Sequence, residues 1–418
     1  MTPGPGSGRS DERRLLVALF GAGTAAFAQL YAPQAVLPDA ARELATSAST
    51  TALLVSAATL GLAAGVLPWA WVADRVGRVR AMTAALLGAT AVGLAVPLAP
   101  SFPVIVAGRA VEGLLVAGVP AVAMAYLTET LPAAAVPRAA GTYVAGTSMG
   151  GLLGRLVAGG VAELFGWRAG VGAVAAACLV ATALFVGLAP RDRASGARSR
   201  GRPREETSHD ETPRDVVGAP GPGERADGGA PGPHRLRVLL SPRLLVLDAQ
   251  GLLLMGGFVA VYNYLGFRLT AAPFGLSAGT VSLVFLAYLA GTWSSARTGR
   301  LVVRHGRRRV LVASTGVMAL GVAATLSAWL PVVLAGLVVL TAGFFGAHAV
   351  ASGWTPVAAP RARTQAAAVY NLAYYGGSSL FGWLGGVGFA LAGWPGTVGL
   401  VLALVALAAG LATAVLRD

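Results

Sequence analysis

"AWVADRVGRVR" occupies residues 70–80, between an apolar run at about 50–71 and another at about 80–99. It packs three arginines, Arg75, Arg78 and Arg80, and one acid, Asp74, into a turn marked by Gly77. The same layout returns as "VRHGRRR" at 303–309, where Gly306 stands 229 residues after Gly77. A short basic turn between long apolar runs, met twice, implies a chain that crosses a bilayer repeatedly and is built of two similar halves.

Composition agrees. The 418 residues are 55% hydrophobic and 12% charged, against roughly 25% charged in a soluble domain. Runs long enough to span, about 20 residues each, fall near 15–37, 50–71, 80–99, 102–126, 140–162, 169–189, 244–267, 278–298, 309–329, 331–354, 365–390 and 396–416. None shows the short alternation of a barrel strand, so helices are expected. The expectation is an all-α polytopic membrane protein of twelve transmembrane helices. Residues 1–190 would form one six-helix bundle and 241–418 a second. Residues 191–240 would form a cytoplasmic linker, rich in Pro, Gly and charge and without the apolar residues of a core.

The net charge of +14 does not point to nucleic acid. All 32 basic residues are arginines, and 27 of them fall on one side of the predicted spans. Only Arg42, Arg168 and Arg268 fall on the other, and without the eleven arginines of the linker 16 still oppose three. That asymmetry places both termini in the cytoplasm, in a bacterial cytoplasmic membrane. Arg9, Arg13 and Arg14 precede a small-residue "AFAQ", but the apolar run continues to Leu37, so a retained first span is expected rather than a cleaved signal. The single cysteine, Cys178, allows no internal disulfide. No cluster of His, Asp or Cys suits metal or nucleophilic chemistry, and the absence of lysine removes a Walker A loop and a Schiff-base lysine. No enzyme activity and no cofactor are expected.

The repeat extends further. "AAGTYVAGTSMGG" from Ala139 aligns with "AAAVYNLAYYGGS" from Ala366, placing Tyr143 over Tyr370 and Gly150 over Gly377 at an offset of 227. "FGWRAG" and "AGWPGT" put Gly166–Trp167 over Gly393–Trp394 at the same offset.

The loop at 70–80 resembles the G-x-x-x-D-R-x-G-R-[KR] signature of the major facilitator superfamily, matched at Asp74, Arg75, Gly77, Arg78 and Arg80, with Ala70 at the first glycine. The second copy keeps Gly299, Arg304, Gly306, Arg307 and Arg308, with Val303 where the acid would stand. Arg109, Glu112 and Gly113 resemble the R-x-x-[QE]-G signature of span four. Gly146, Gly150 and Gly154 resemble the span-five motif of the antiporter branches, except that Gly151 replaces its proline and Arg155 its last glycine. "YNYLGFRL" (262–269), "AYLAGTWSS" (287–295), "STGVMALG" (314–321) and "AGFFGAHAVAS" (342–352) resemble the YnfM-type branch. The resemblance implies two pseudo-symmetric bundles and a secondary carrier working by alternating access, a proton-driven exporter of a drug or metabolite. Import or uniport of an organic solute is the alternative. A membrane enzyme or a transporter-like sensor is a distant one. The partners implied are a small solute, protons and the lipid bilayer, with a monomer expected.

Physical reasoning assigns roles to these residues. Asp74, flanked by arginines, can latch the two halves when the cytoplasmic end is closed. Arg109 and Glu112 share a face of span four; charges inside a span normally face the bundle interior and mark ion or substrate paths. Glu112 is thus the expected proton-coupling acid and Arg109 its partner, against the plainer alternative of a static bridge. Gly146, Gly150 and Gly154 form a stripe for close helix approach. Arg155, next to that stripe and about 6 Å from the middle of span five, points into the protein. With Arg109 at similar depth, two guanidiniums against one carboxylate suggest a pocket for an anion; pairing of Arg155 with Glu112 or with backbone carbonyls is the alternative. Tyr31, Gln34, Asn263, Tyr370, Asn371 and Tyr374 complete the expected substrate cavity. His348 is expected to be a structural histidine.

Overall fold

The computed structural model describes residues 7–132, 134–189 and 238–417, without the side chains of 7–11 and 137. The predicted linker, 191–237 in its larger part, lies outside the described residues. Among those described there is no strand. The long helices are α1 (Ser7–Tyr31), α2 (Leu53–Val76), α3 (Arg78–Ala95) and α4 (Phe102–Thr130), then α5 and α6, the arms 136–165 and 167–188 of Val136–Leu188. The second half holds α7 (Pro242–Thr270), α8 (Tyr288–His305), α9 (Arg307–Ala324) and α10 (Leu330–Ala358), then α11 and α12, the arms 363–391 and 394–415 of Arg363–Val415.

Among the described residues, eight helical segments are long and apolar enough to cross a membrane. Two of these, of 51 and 53 residues, are the bent pairs α5–α6 and α11–α12. The remaining helices, α8 and α9, have 18 residues each and fall below that apolarity, because the arginines of the second basic turn lie inside them. Span eight, expected over 278–298, therefore runs on to His305: "ARTGRLVVRH" continues the helix on a polar face until Gly306 stops it. Span one breaks after Tyr31 into a 3-10 turn, Ala32–Val36, and a short helix, Leu37–Glu43. Pro33 and Pro38 each remove a backbone donor there. Pro120 does the same in α4, which is interrupted at Ala117.

The repeat is written in the backbone. Gly77 between α2 and α3 has φ 96° and ψ 155°, and Gly306 between α8 and α9 has φ 83° and ψ 158°. Both turns use the left-handed region that a Cβ disfavours. Gly166 (φ 82°) and Gly393 (φ 62°) bend the two double-length segments at positions 227 apart.

Within the first half α1 packs on α5 and α2 on α4; within the second, α7 packs on α11, and α8 and α9 on α10. The halves meet along α2 against α11, and along α5 against Ala278–Ser282 and the start of α8. The hydrogen bonds that cross this seam gather toward one end, the end with few arginines. Glu163 Oε2 accepts from the Gly279 N–H at 2.7 Å, the Ser379 hydroxyl donates to the Ser56 carbonyl at 2.8 Å, and Gln34 bonds Asn263. Pro38 packs on Gly266, and Ser282 on Gly159.

Candidate functional site

The site is placed by a close helix crossing. Gly146, Gly150 and Gly154 of α5 lie one turn apart and rest on Phe20, Thr24 and Ala28 of α1, also one turn apart. A methyl group at these glycines would fall 2.4, 2.2 and 2.5 Å from the respective carbonyl oxygens, so only glycine fits. The Thr24 hydroxyl donates to the carbonyls of Phe20 (2.8 Å) and Gly146 (3.1 Å), binding the two helices further.

Arg155 follows the last of these glycines and is only 1% exposed. Its Nε donates to Gln34 Oε1 at 2.7 Å, Nη1 to the Gly151 carbonyl at 2.5 Å, and Nη2 to the Tyr288 hydroxyl at 3.1 Å. The guanidinium also lies over the rings of Tyr31 (4.5 Å), Tyr288 (4.7 Å) and Phe285 (4.9 Å). Such contacts hold a cation without neutralising it. No carboxylate among the described residues shares these bonds, and two of the five guanidinium N–H groups are left for a ligand.

Gln34 passes the network on. Its Nε2 donates to Asn263 Oδ1 at 2.6 Å, and Asn263 Nδ2 donates to the Gly382 carbonyl at 3.2 Å. Gln34 and Asn263 are 229 positions apart, the spacing of the two turn glycines, and Gly382 stands 227 after Arg155. The chain of bonds thus runs from the first half into the second across the seam.

The second half contributes an aromatic frame. Phe258 stacks on Phe344 (4.1 Å) and lies against Tyr262, Tyr288 and Phe345. From Phe344 the contacts run through His348 to Tyr374 (4.7 Å) and on to Tyr375 (5.2 Å). Tyr374 lies within electrostatic reach of Tyr31 and Tyr288, which returns the frame to Arg155.

Arg109 and Glu112 form a separate site. Arg109 Nη1 pairs with Glu112 Oε2 at 2.5 Å. The same guanidinium donates to the carbonyls of Leu54 (2.9 Å), Gln29 (3.2 Å) and Leu30 (2.6 Å), pinning α4 to α1 and α2. Glu112, 2% exposed, faces Gly93 of α3, Gln29, and Cys178 of α6. The single pocket expected to hold both arginines is therefore two sites: Arg109 bonds the backbone of α1 at 29–30, and Arg155 bonds Gln34 in the 3-10 turn that follows α1.

At the arginine-rich end, Arg78 bonds Asp74 Oδ1 at 2.6 Å and grips Glu129 with Nε and Nη2, at 3.1 and 2.8 Å. Both acids belong to the same half, so Asp74 is engaged within its own bundle in this conformation. Arg75 lies over the Trp71 ring at 3.4 Å. Arg80, Gly299 and Arg304 are exposed, and Arg307 is half-buried at the start of α9.

Of the other expected cavity residues, Tyr31 and Asn263 join the Arg155 network and Tyr374 the aromatic frame. Tyr370 is buried in the second half, its hydroxyl 3.0 Å from His348 Nδ1, and Asn371 is exposed. The sequence reading did not find Tyr288, Phe285 or Glu129. An aromatic residue in an apolar helix carries no signal of which way it faces, and Glu129 is 51 positions from Arg78.

Two bundles of this kind, basic turns at Gly77 and Gly306, and charged pairs inside the first half match a known family. The sequence profile of the Major Facilitator Superfamily matches residues 17–297. The chain belongs to the major facilitator superfamily. Its relatives in that superfamily include the "Inner membrane transport protein YnfM" of Escherichia coli (strain K12), 37% identical over 374 residues, covering 90% of this chain and 84% of the relative. The "Uncharacterized MFS-type transporter YybF" of Bacillus subtilis (strain 168) is 31% identical over 376 residues, covering 90% and 86%. A "Chloramphenicol resistance protein" of Streptomyces lividans is 28% identical over 281 residues, covering 66% and 64%. Among solved structures, a bacterial homolog of the human lysosomal transporter Spinster, inward-facing and unoccupied, superposes with a TM-score of 0.75 at 16% identity, covering 98% of this chain and 97% of that one. A mutant of the nucleoside transporter NupG gives 0.73 at 11% identity, covering 97% and 100%. The protein is thus a transporter of the major facilitator superfamily, with that superfamily's fold.

Proposed function

We propose that this transporter is a proton-coupled exporter working by alternating access, and that its solute is a small amphiphilic anion. The observation that carries the solute class is Arg155: a buried guanidinium at the seam, framed by aromatic rings, held by an amide, a hydroxyl and a carbonyl but by no acid. A carboxylate or phosphate could take the two remaining N–H groups as a bidentate pair, while an apolar body packs on Phe285, Tyr288 and Tyr374. Because Arg155 also bonds Tyr288 across the seam, an anion on those two N–H groups would bind at the end where the halves meet. Export is in keeping with the relative named for chloramphenicol resistance. The arginine-rich end is assigned to the cytoplasm of a bacterial cell by the positive-inside rule, which makes this conformation the cytoplasm-open one. Proton coupling needs a buried acid, and those among the described residues are Glu112, whose neutralisation would leave Arg109 held by three carbonyls alone, and Asp248.

The test is a solute screen in proteoliposomes with an imposed pH gradient, comparing the wild type with Arg155→Ala. Gradient-driven transport of an organic anion, reduced at least tenfold in the variant, is expected. Equal transport by both would overturn the anion site; counterflow insensitive to the gradient would overturn proton coupling.

A further inference from the structure

Asp248 enters neither the Arg155 network nor the Arg109–Glu112 pair. It lies six residues into α7, about 9 Å from that helix's arginine-rich end. It is 8% exposed, and its Oδ1 is buried without a hydrogen-bond partner. A carboxylate inside a membrane-spanning helix is normally paired or functional.

Among the described residues no cation is paired with it. On α7 itself, Arg243 is turned away, over the Trp354 ring and toward the Arg417 carbonyl. Helix α12 has no titratable residue between 394 and 415, and meets α7 there through the Ala408 carbonyl, which accepts from Gln250 at 3.0 Å. Helix α10 offers one titratable residue, His348. Helix α11 offers Arg363 at its start, then Tyr370, Tyr374 and Tyr375. Of these, Tyr370 is the neighbour. Its ring packs on Gly251, one turn along α7 from Asp248, and it lies within electrostatic reach of the carboxylate. Its hydroxyl is 3.0 Å from His348 Nδ1, and the His348 ring is 4.7 Å from that of Tyr374, which belongs to the aromatic frame. His348 and Tyr370 therefore connect the aromatic frame to the part of α7 that carries Asp248.

We infer that Asp248, with Tyr370 beside it and His348 behind Tyr370, is the proton-binding site of the second half. This rests on the proton coupling proposed above and moves its chemistry away from the Arg109–Glu112 pair. The step is a single protonation: the carboxylate takes one proton from water in the cavity and becomes a neutral acid, and the reverse step returns it. The neutral acid tolerates a dry site and the anion does not. Oδ1 is already buried, and closing the arginine-rich end removes the water that still reaches the rest of the carboxylate, so proton binding and closure favour one another. Tyr370 and His348 are positioning residues, fixing how strongly the carboxylate holds its proton.

The experiment needs no identified solute. The full chain in lipid nanodiscs, carrying Cys178→Ser, receives spin labels at Thr128→Cys in the first half and Val303→Cys in the second, both exposed at the arginine-rich end. Distances between them are measured by electron–electron double resonance from pH 8.5 to pH 5. The wild type is expected to shift to shorter distances as pH falls. Asp248→Asn is expected to stay at the short distance throughout, and Asp248→Glu to restore the shift with a displaced midpoint. Tyr370→Phe should move the midpoint by about one pH unit, and Glu112→Gln should titrate like the wild type. If Asp248→Asn titrates like the wild type, the site is wrong while coupling stands. If Glu112→Gln abolishes the shift and Asp248→Asn does not, the proton belongs to Glu112. A wild type indifferent to pH overturns the coupling itself.

Discussion

Arg155 of the first half and Tyr288 of the second share a hydrogen bond of 3.1 Å across the seam, from a guanidinium that also bonds Gln34 in the turn after α1. One cation thus serves as the expected solute contact and as a fastener between the halves. Arg155→Lys should not substitute for it, because a point-charge ammonium cannot bond Gln34, Gly151 and Tyr288 in the directions the planar fork supplies. Transport of the solute found by screening should fall about tenfold or more in Arg155→Lys as well as in Arg155→Ala, read as the initial rate in proteoliposomes.

Tyr288→Phe isolates the fastening. The ring stays in contact with the guanidinium and only the hydroxyl is lost, removing a bond to a charged group worth roughly 1–2 kcal/mol. The equilibrium should move about five- to thirtyfold toward separation of the arginine-poor end. Spin labels at Glu43→Cys and Ser277→Cys would report it as a larger population at long distance.

The glycine stripe makes a sharper structural prediction. Gly150→Ala places a methyl group 2.2 Å from the Thr24 carbonyl oxygen, and α1 and α5 must part or distort. A loss of about 1–3 kcal/mol is expected, as for overpacking in a dense interior, seen as a lower unfolding temperature in detergent. Gly160→Ala, where a methyl group meets nothing within 4 Å, should leave that temperature unchanged or slightly raised.

Much of this was legible beforehand, for identifiable reasons. The turns at Gly77 and Gly306 could be read because a left-handed backbone demands glycine and the arginines around it recur. The face of Gly146, Gly150 and Gly154 could be read because small residues four apart mark a close crossing, although nothing in the sequence named Phe20, Thr24 and Ala28 as the surface beneath. Depth along a helix was legible; direction around it was not. Counted along their own spans, Arg109 and Arg155 fall at similar depth and so looked like one pocket, whereas the first turns into the bundle toward α1 and α2 and the second into the seam, against a later part of span one. The aromatic frame was hidden for the same reason, since Phe258 and Tyr288 would look no different facing lipid.

That separation of the two arginines sets up a contrast in stability. Arg109→Met strands the buried Glu112 carboxylate and three backbone carbonyls, a loss of roughly 3–5 kcal/mol. The double variant Arg109→Met, Glu112→Leu removes the stranded charge and should recover part of that loss, the unfolding temperature rising relative to the single change. Arg78→Ala, whose partners Asp74 and Glu129 are largely exposed, should cost less than about 1 kcal/mol.

The bond between Gln34 and Asn263 also bears on what parting the halves requires. Gln34 is tied in turn to Arg155, and Asn263 to the Gly382 carbonyl. A movement that breaks the central bond leaves an amide group unpaired on each side, and a buried amide without a partner is costly. Water must therefore enter this end as it opens, so wetting the seam is part of the motion.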